Sequence, residues 1–485
     1  MADKTFSYFV ETEILPEHMR DLIEYIHRKY ILARPERFTN VLKTIVGDDA
    51  SLLYTLKDSA GKQTLNVEIK GGTPIKLNMT RVDAAVSEEM VNEAKQDVVI
   101  FVGFFEEEVR SSTLFFAWRE GEQVVPEKLR GGERKSINRL FLETQILLFV
   151  VFIGLGMVLF FMVTLWFPSY FWVVPILLMG IQLVFVFYSN KFIARVADWH
   201  ITESNPSIHL LEYQLPVEEH ENFRKKYSQD ELLAIKKEIY AKTVAKKGEI
   251  DCEVVQNVLS KHGFECRPQD LSTRRVNVYE LVKKAVGSFG FPMPEIVVSN
   301  TIVPNAAASG PSPRRGVVLI TTGLLSQLSS EEILSVLGHE FGHLKGRDPL
   351  LLYGLTGAEF LFRFYVLLPL FPIIFLSYLF ILYFWAVMTA IYFIAKFFEA
   401  RADLISAMVI GEPKVLAEAL EKIGFKRLLF ERTPSYRFQE WLSLDPHPPI
   451  YFRVSRLEKL KVPVQIKHPL IQSAADVIKG FFASF

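Results

Sequence analysis

The segment His339-Glu340-Phe341-Gly342-His343 sets two imidazoles four residues apart with a carboxylate between them. On a helix, residues four apart lie on one face a turn apart. Both imidazoles can therefore reach one metal ion, while Glu340, about 100° round the axis, faces an attacking water. A catalytic zinc takes three protein ligands and keeps one position open, and two histidines with one glutamate form such a set. Downstream, Phe397-Phe398-Glu399-Ala400-Arg401-Ala402-Asp403 offers Glu399 as the third ligand, with Asp403 one helical turn beyond it. Asp403 can accept a hydrogen bond from the outer nitrogen of a ligand histidine and so fix its tautomer. The expected chemistry is peptide hydrolysis with one zinc per chain: the ion polarises the scissile carbonyl and acidifies the water, whose proton Glu340 takes and passes to the leaving amine. The plainer reading of Glu399 is a carboxylate at a membrane boundary, balanced by Lys396 or Arg401.

These residues need a helix and a surface to work against. Ser329 and Glu332 have capping-box spacing, so a helix is expected to start there and to carry the His-Glu-x-x-His segment. Ahead of it, residues 295–299 and 316–321 read as short strands and residues 276–290 as an amphipathic helix; residues 217–247 alternate in charge and read as solvated helix.

Between and around these elements lie two apolar blocks. No charged residue occurs from 145 to 188, and the run is broken only at Phe167-Pro168-Ser169. Each half, 145–166 and 170–188, is close to the roughly 20 residues that cross about 30 Å of hydrocarbon, so the block predicts a transmembrane hairpin. A second hairpin is expected over residues 350–398, turning near Pro369 and Pro372, with Glu359 and Arg363 inside its first arm. Their spacing of four suits an ion pair. It leaves open whether they also line a polar chamber beside the active site. Lys128, Arg130, Arg134, Lys135 and Arg139 before the first hairpin, and Lys191 and Arg195 after it, put those flanks on the cytoplasmic side.

Lys plus Arg and Asp plus Glu both number 55, so nothing in the overall charge points to a nucleic-acid partner. The two cysteines, Cys252 and Cys266, do not make a disulfide framework or a zinc pair and suit a reducing compartment. The first ten residues lack a basic stretch followed by an apolar run, so a cleaved signal peptide is not expected. Residues 1–138 read as a small α+β unit: a helix near 16–32, and strand-like runs at 51–56, 64–69 and 98–104. His18 and His27 have no partner at metal-ligand spacing there, and no chemical motif appears.

The combination of Asn305-Ala306 with Gly310, Thr322-Gly323-Leu324-Leu325, His339 to His343 followed by Gly346-Arg347-Asp348, Glu399 to Asp403, and His447-Pro448-Pro449 with Arg453 resembles the HtpX-like membrane metallopeptidases, relatives of the type I CAAX prenyl proteases. The resemblance covers roughly residues 276–457. It implies that Asn305 and Ala306 belong to an edge strand along which substrate lies extended, and that His447 or Arg453 closes the cleft and stabilises the oxyanion. A helix cap for His447 and a structural ion pair for Arg453 are the plainer alternatives.

The expected architecture is α+β: a gluzincin-type catalytic domain, mostly helical with a small sheet, anchored by about four transmembrane helices. It comprises the accessory domain 1–138, hairpins at 145–188 and 350–398, and catalytic segments 190–349 and 399–485. The expected activity is that of a multi-pass metalloendopeptidase of the cell membrane, facing the cytoplasm, in contact with lipid and acting on membrane or misfolded proteins. Two other readings stay open: a processing protease for a lipidated or terminal peptide, and an inactive membrane adaptor on a zincin scaffold.

Overall fold

The computed structural model describes residues 5–46, 49–58, 60–83, 86–127, 158, 161–163, 165–215, 227–264, 267–375 and 377–484. The chain falls into two compact units. One comprises Met1–Glu120, His209–Arg275 and Leu420–Arg432, the other Gly121–Ile208, Val276–Ala419 and Thr433–Phe485.

In the first unit, strands β1 (Thr5–Val10), β2 (Phe38–Val46), β3 (Asp49–Lys57), β4 (Gln63–Lys70) and β5 (Ile75–Arg81) form an antiparallel sheet of order β1-β5-β4-β3-β2. Period-two patterning explains its one-sided core. Leu52, Tyr54 and Leu56, Leu65, Val67 and Ile69, and Ile75, Leu77 and Met79 all turn inward and are buried with Leu22, Ile26, Val91 and Val98 from the helices. Residues 98–104, expected as strand, instead lie inside the helix Glu88–Ser111. Ser87 caps that helix by accepting from the Met90 amide at 3.2 Å. A short apolar run buried on several sides carries no period of its own, which is why its β-branched residues mislead. Gly103 lets the Phe425 ring within 2.7 Å of where a Cβ would sit, a close packing that a strand reading does not foresee.

The remaining strands are β6 (Thr113–Arg119), β7 (Trp199–Ile201), β8 (Ser207–Gln214), β9 (Leu271–Asn277), β10 (Glu295–Ser299), β11 (Ala306–Ser309) and β12 (Val317–Thr321). β6, β8 and β9 make a three-stranded sheet of order β6-β8-β9. The second unit is organised on a four-stranded sheet of order β11-β12-β10-β7, in which β10 and β12 run parallel and β11 runs antiparallel to β12 at one edge. Every residue of β12 is buried, in keeping with a sheet covered on both faces. One cover is the helix Ser330–Gly346. Its Phe341 ring meets those of Phe289 and Phe291 at centroid distances of 5.8 and 6.4 Å. The expected amphipathic helix is Val278–Phe289, ended by Gly290 in the left-handed conformation.

Among the described residues, three helices are long and apolar enough to cross a membrane: Val174–Arg195, Asp348–Leu370 and Leu379–Val409. The first packs at its base on the four-stranded sheet, where Ala194 is buried with Val297, Val317 and Leu319. The second and third fall where the second hairpin is expected, with the short helix Pro372–Phe375 between them. Inside them Arg363 pairs with Glu359 at 3.1 Å, and the Tyr383 hydroxyl donates to the same carboxylate at 2.8 Å, so the pair ties one arm to the other. The first arm expected for the other hairpin, residues 145–166, lies mostly outside the described residues. The basic flank at Lys128 to Arg139, Cys266 and the first ten residues of the charged segment 217–247 lie outside them as well; the rest of that segment includes the helix Gln229–Lys242.

Candidate metal centre

The site is built where two helices cross. Ser329 caps the first, Ser330–Gly346, in the expected capping box: its hydroxyl accepts from the Glu332 amide at 3.2 Å and the Glu332 carboxylate accepts from its amide at 2.8 Å. The second is Leu379–Val409, which brings in Glu399 and Asp403 as the chain leaves the membrane arm. Glycine lets the two come close. A Cβ on Gly342 would lie 2.9 Å from Ala402 Cα, and one on Gly338 would lie 2.6 Å from Ser406 Oγ. The Ser406 hydroxyl in turn donates to the Ser335 carbonyl at 2.9 Å.

This approach brings the three ligand atoms of His339, His343 and Glu399 within 4.8 Å of one another. The two Nε2 atoms are 3.2 Å apart. His343 Nε2 lies 3.3 Å from Glu399 Oε1, and His339 Nε2 lies 3.4 Å from Glu399 Oε2. Tetrahedral ligands about 2.0–2.1 Å from a zinc ion stand about 3.3 Å apart, so this donor set fits one face of such a site. Both outer nitrogens are engaged. His339 Nδ1 meets Asp403 Oδ1 at 2.8 Å, and His343 Nδ1 meets Asp348 Oδ2 at 2.8 Å. With each Nδ1 donating to a carboxylate, each Nε2 is left to bind a cation.

The two imidazoles are tuned in opposite directions. Burial presses the His339 pKa down, yet the Asp403 and Glu399 acceptors outweigh it and push it up to about 10. For His343, burial prevails over the attraction of Glu399 and lowers the value, helped by His339. Arg453 is buried and donates to Asp403 through Nε at 2.9 Å and Nη2 at 2.7 Å. Burial lowers its pKa, but Asp403 more than reverses that and holds the guanidinium charged. Arg453 Nη2 also lies 3.4 Å from His339 Nδ1, but the proton on that nitrogen is already committed to Asp403.

Glu340 is half-buried, and its Oε2 accepts from the Ala308 amide on β11 at 3.0 Å. Asn305 and Ala306 stand at the start of that edge strand. The Asn305 amide donates to Thr321 Oγ1 at 2.8 Å, its carbonyl accepts from the Thr321 amide at 3.0 Å, and Ala306 pairs with Ile320. His447 is the most open member, with 45% of its side chain exposed. Its Nε2 lies 3.6 Å from Glu399 Oε2, and Asp445 holds its Nδ1 at 2.7 Å. The loop bearing it is anchored by buried Lys396, which donates to the Ser443 and Asp445 carbonyls. The sequence reading missed Asp348 and Arg401, which form a buried ion pair behind His343. The signal was present in Gly346-Arg347-Asp348, but only the turn at Arg347 gives it meaning.

Residues 272–461 match peptidase family M48. The chain is similar to the Protease HtpX homolog of Gemmatimonas aurantiaca, at 30% identity over 38% of this chain and 75% of that relative. It is similar also to the Protease HtpX homolog 2 of Methanosarcina acetivorans, at 29% identity over 38% of this chain and 72% of the relative. Among solved structures, the crystal structure of S. mikatae Ste24p aligns at 18% identity and a TM-score of 0.30, over 36% of this chain and 49% of that one.

Proposed function

The chain belongs to the HtpX-like peptidases of family M48, and from that premise we propose that it is a membrane zinc endopeptidase with Glu340 as general base. The reading rests above all on His339, His343 and Glu399, whose ligand atoms lie within 4.8 Å of one another with a base and an edge strand beside them. When bound by those three residues, zinc supplies the Lewis acidity that polarises the scissile carbonyl and acidifies the attacking water.

The rest is done by the chain's own groups. A substrate segment lies extended along β11, adding a strand through its backbone, with Asn305 and Ala306 at the entry to that edge. Glu340, already within hydrogen-bonding distance of the strand, takes the proton of the water and carries it to the leaving amine. His447 stands at the open side of the site, where it can donate to the oxyanion as the tetrahedral carbon forms. Arg453 has two of its donors on Asp403, so we assign it the holding of Asp403, and through it of His339, rather than contact with substrate. Substrates of this reading are membrane or misfolded proteins, cleaved on the cytoplasmic side. That orientation is favoured by Lys191 and Arg195 at the end of the span Val174–Arg195.

The reading is tested with purified protein in detergent and β-casein as substrate. Cleavage should stop with 1,10-phenanthroline and return on adding zinc, with about one zinc per chain by elemental analysis. Cleavage that survives complete removal of metal would contradict it.

A further inference from the structure

Resting on the metal-centre reading above, the geometry points to a second positioning pair: we propose that Asp348, held by Arg401, orients His343 for the metal as Asp403, held by Arg453, orients His339. His343 Nδ1 meets Asp348 Oδ2 at 2.8 Å, and the other carboxylate oxygen is paired with the Arg401 guanidinium. Asp348 and Arg401 are each only 7% exposed. A carboxylate buried this deeply beside an imidazole needs a positive partner, and Arg401 stands where it supplies one.

The local sequence is arranged for this contact. Had the helix Ser330–Gly346 continued, a residue five places after His343 would point about 140° away from it. Arg347 instead takes the left-handed conformation, with φ 54° and ψ 40°, and the chain doubles back so that Asp348 meets the ring. Gly346 gives up its side chain for Arg401, since a Cβ there would run into the guanidinium. Arg401 in turn lies between Glu399 and Asp403 on their helix and reaches the opposite way. One ion pair therefore joins the helix that carries Glu399 to the turn that follows His343. Asp348 is also the first residue of the span Asp348–Leu370, so the point where the chain enters the membrane is itself part of the support of a metal ligand.

The test uses the full chain in detergent and reads the metal rather than turnover. The zinc dissociation constant is measured by chelator competition, and the cobalt-substituted protein gives an absorption spectrum that reports ligand geometry. Asp348→Asn should weaken zinc binding by about 10- to 100-fold and shift the cobalt bands, and Arg401→Met should weaken it by about tenfold. Gly354→Ala, on the same membrane arm and with nothing within 4 Å of the new atom, should bind zinc as the parent does. An Asp348 that merely supports the helix start would change thermal stability and leave both metal readouts alone. Should Asp348→Asn not give monodisperse protein, Arg401→Met carries the test on the same readouts. Parental zinc affinity and spectrum in either folded variant overturn the proposal, whereas a parent that binds no zinc defeats instead the reading on which it rests.

Discussion

Acceptor atoms turned toward one point must share a positive charge, and here the two imidazole Nε2 atoms stand 3.2 Å apart with a Glu399 oxygen 3.3–3.4 Å from each. A proton is one such charge: with Asp403 and Glu399 as acceptors, His339 is pushed up to about 10 and carries it at neutral pH. A divalent cation must displace that proton. The sign follows: free protein binds more protons than the metal complex, so zinc affinity rises with pH until His339 deprotonates unaided. His343, lowered from its ordinary value, adds nothing above pH 7. Chelator competition between pH 6 and 8 should give an affinity rising about tenfold per unit, and Asp403→Asn should flatten that slope. A parent whose affinity is level over this range would contradict the assignment. At this scale the sequence was readable where spacing alone decides, as for His339 and His343 on one helical face. It was unreadable at Asp348, whose contact with His343 depends on a single left-handed residue.

The elements act by holding two helices close enough to share a metal. Gly338, Gly342 and Gly346 recur every four residues along the face that meets the helix Leu379–Val409, and each would collide with it if given a Cβ. Gly342 meets backbone, which cannot swing aside. Gly342→Ala should cost about 1–3 kcal/mol in overpacking, of which better helix propensity returns about 1 kcal/mol. The expected result is a lower thermal midpoint and loss of zinc. Gly354→Ala, with nothing within 4 Å of the new atom, gains the propensity without the collision and should keep its zinc with a midpoint no lower than the parent's; equal midpoints for the two variants would contradict the close-contact argument. Capping residues such as Ser329 and Glu332 announced their helix plainly, because a cap is a local interaction. Residues 98–104 did not, because burial from several directions erases the period that tells helix from strand.

At the scale of the whole molecule, the three described helices long and apolar enough to cross a membrane expose large apolar side chains, Ile381, Leu382 and Trp385 among them. Hydropathy made these segments legible, since apolar runs this long with so few charges have few other uses. What it could not convey is that His209–Arg275 and Leu420–Arg432 join Met1–Glu120 in one compact unit. That association is made by tertiary contacts such as Lys95 with Glu421, between residues hundreds of positions apart. Sidedness is testable on this unit. Cys252 is exposed, and a Cys266→Ser background leaves it as the sole thiol. In intact spheroplasts it should react with a membrane-permeant maleimide and not with an impermeant one; equal labelling by both would place the peptidase on the other side.

The central claim is that a metal held by His339, His343 and Glu399 works with Glu340 as base, and it is tested most directly by comparing the parent with Glu340→Gln. Both proteins are assayed for bound metal and for casein cleavage in detergent. We predict about one zinc in each and a fall in cleavage of at least about a hundredfold in the variant alone. A variant that cleaves as fast as the parent, or a parent without zinc, would contradict the account.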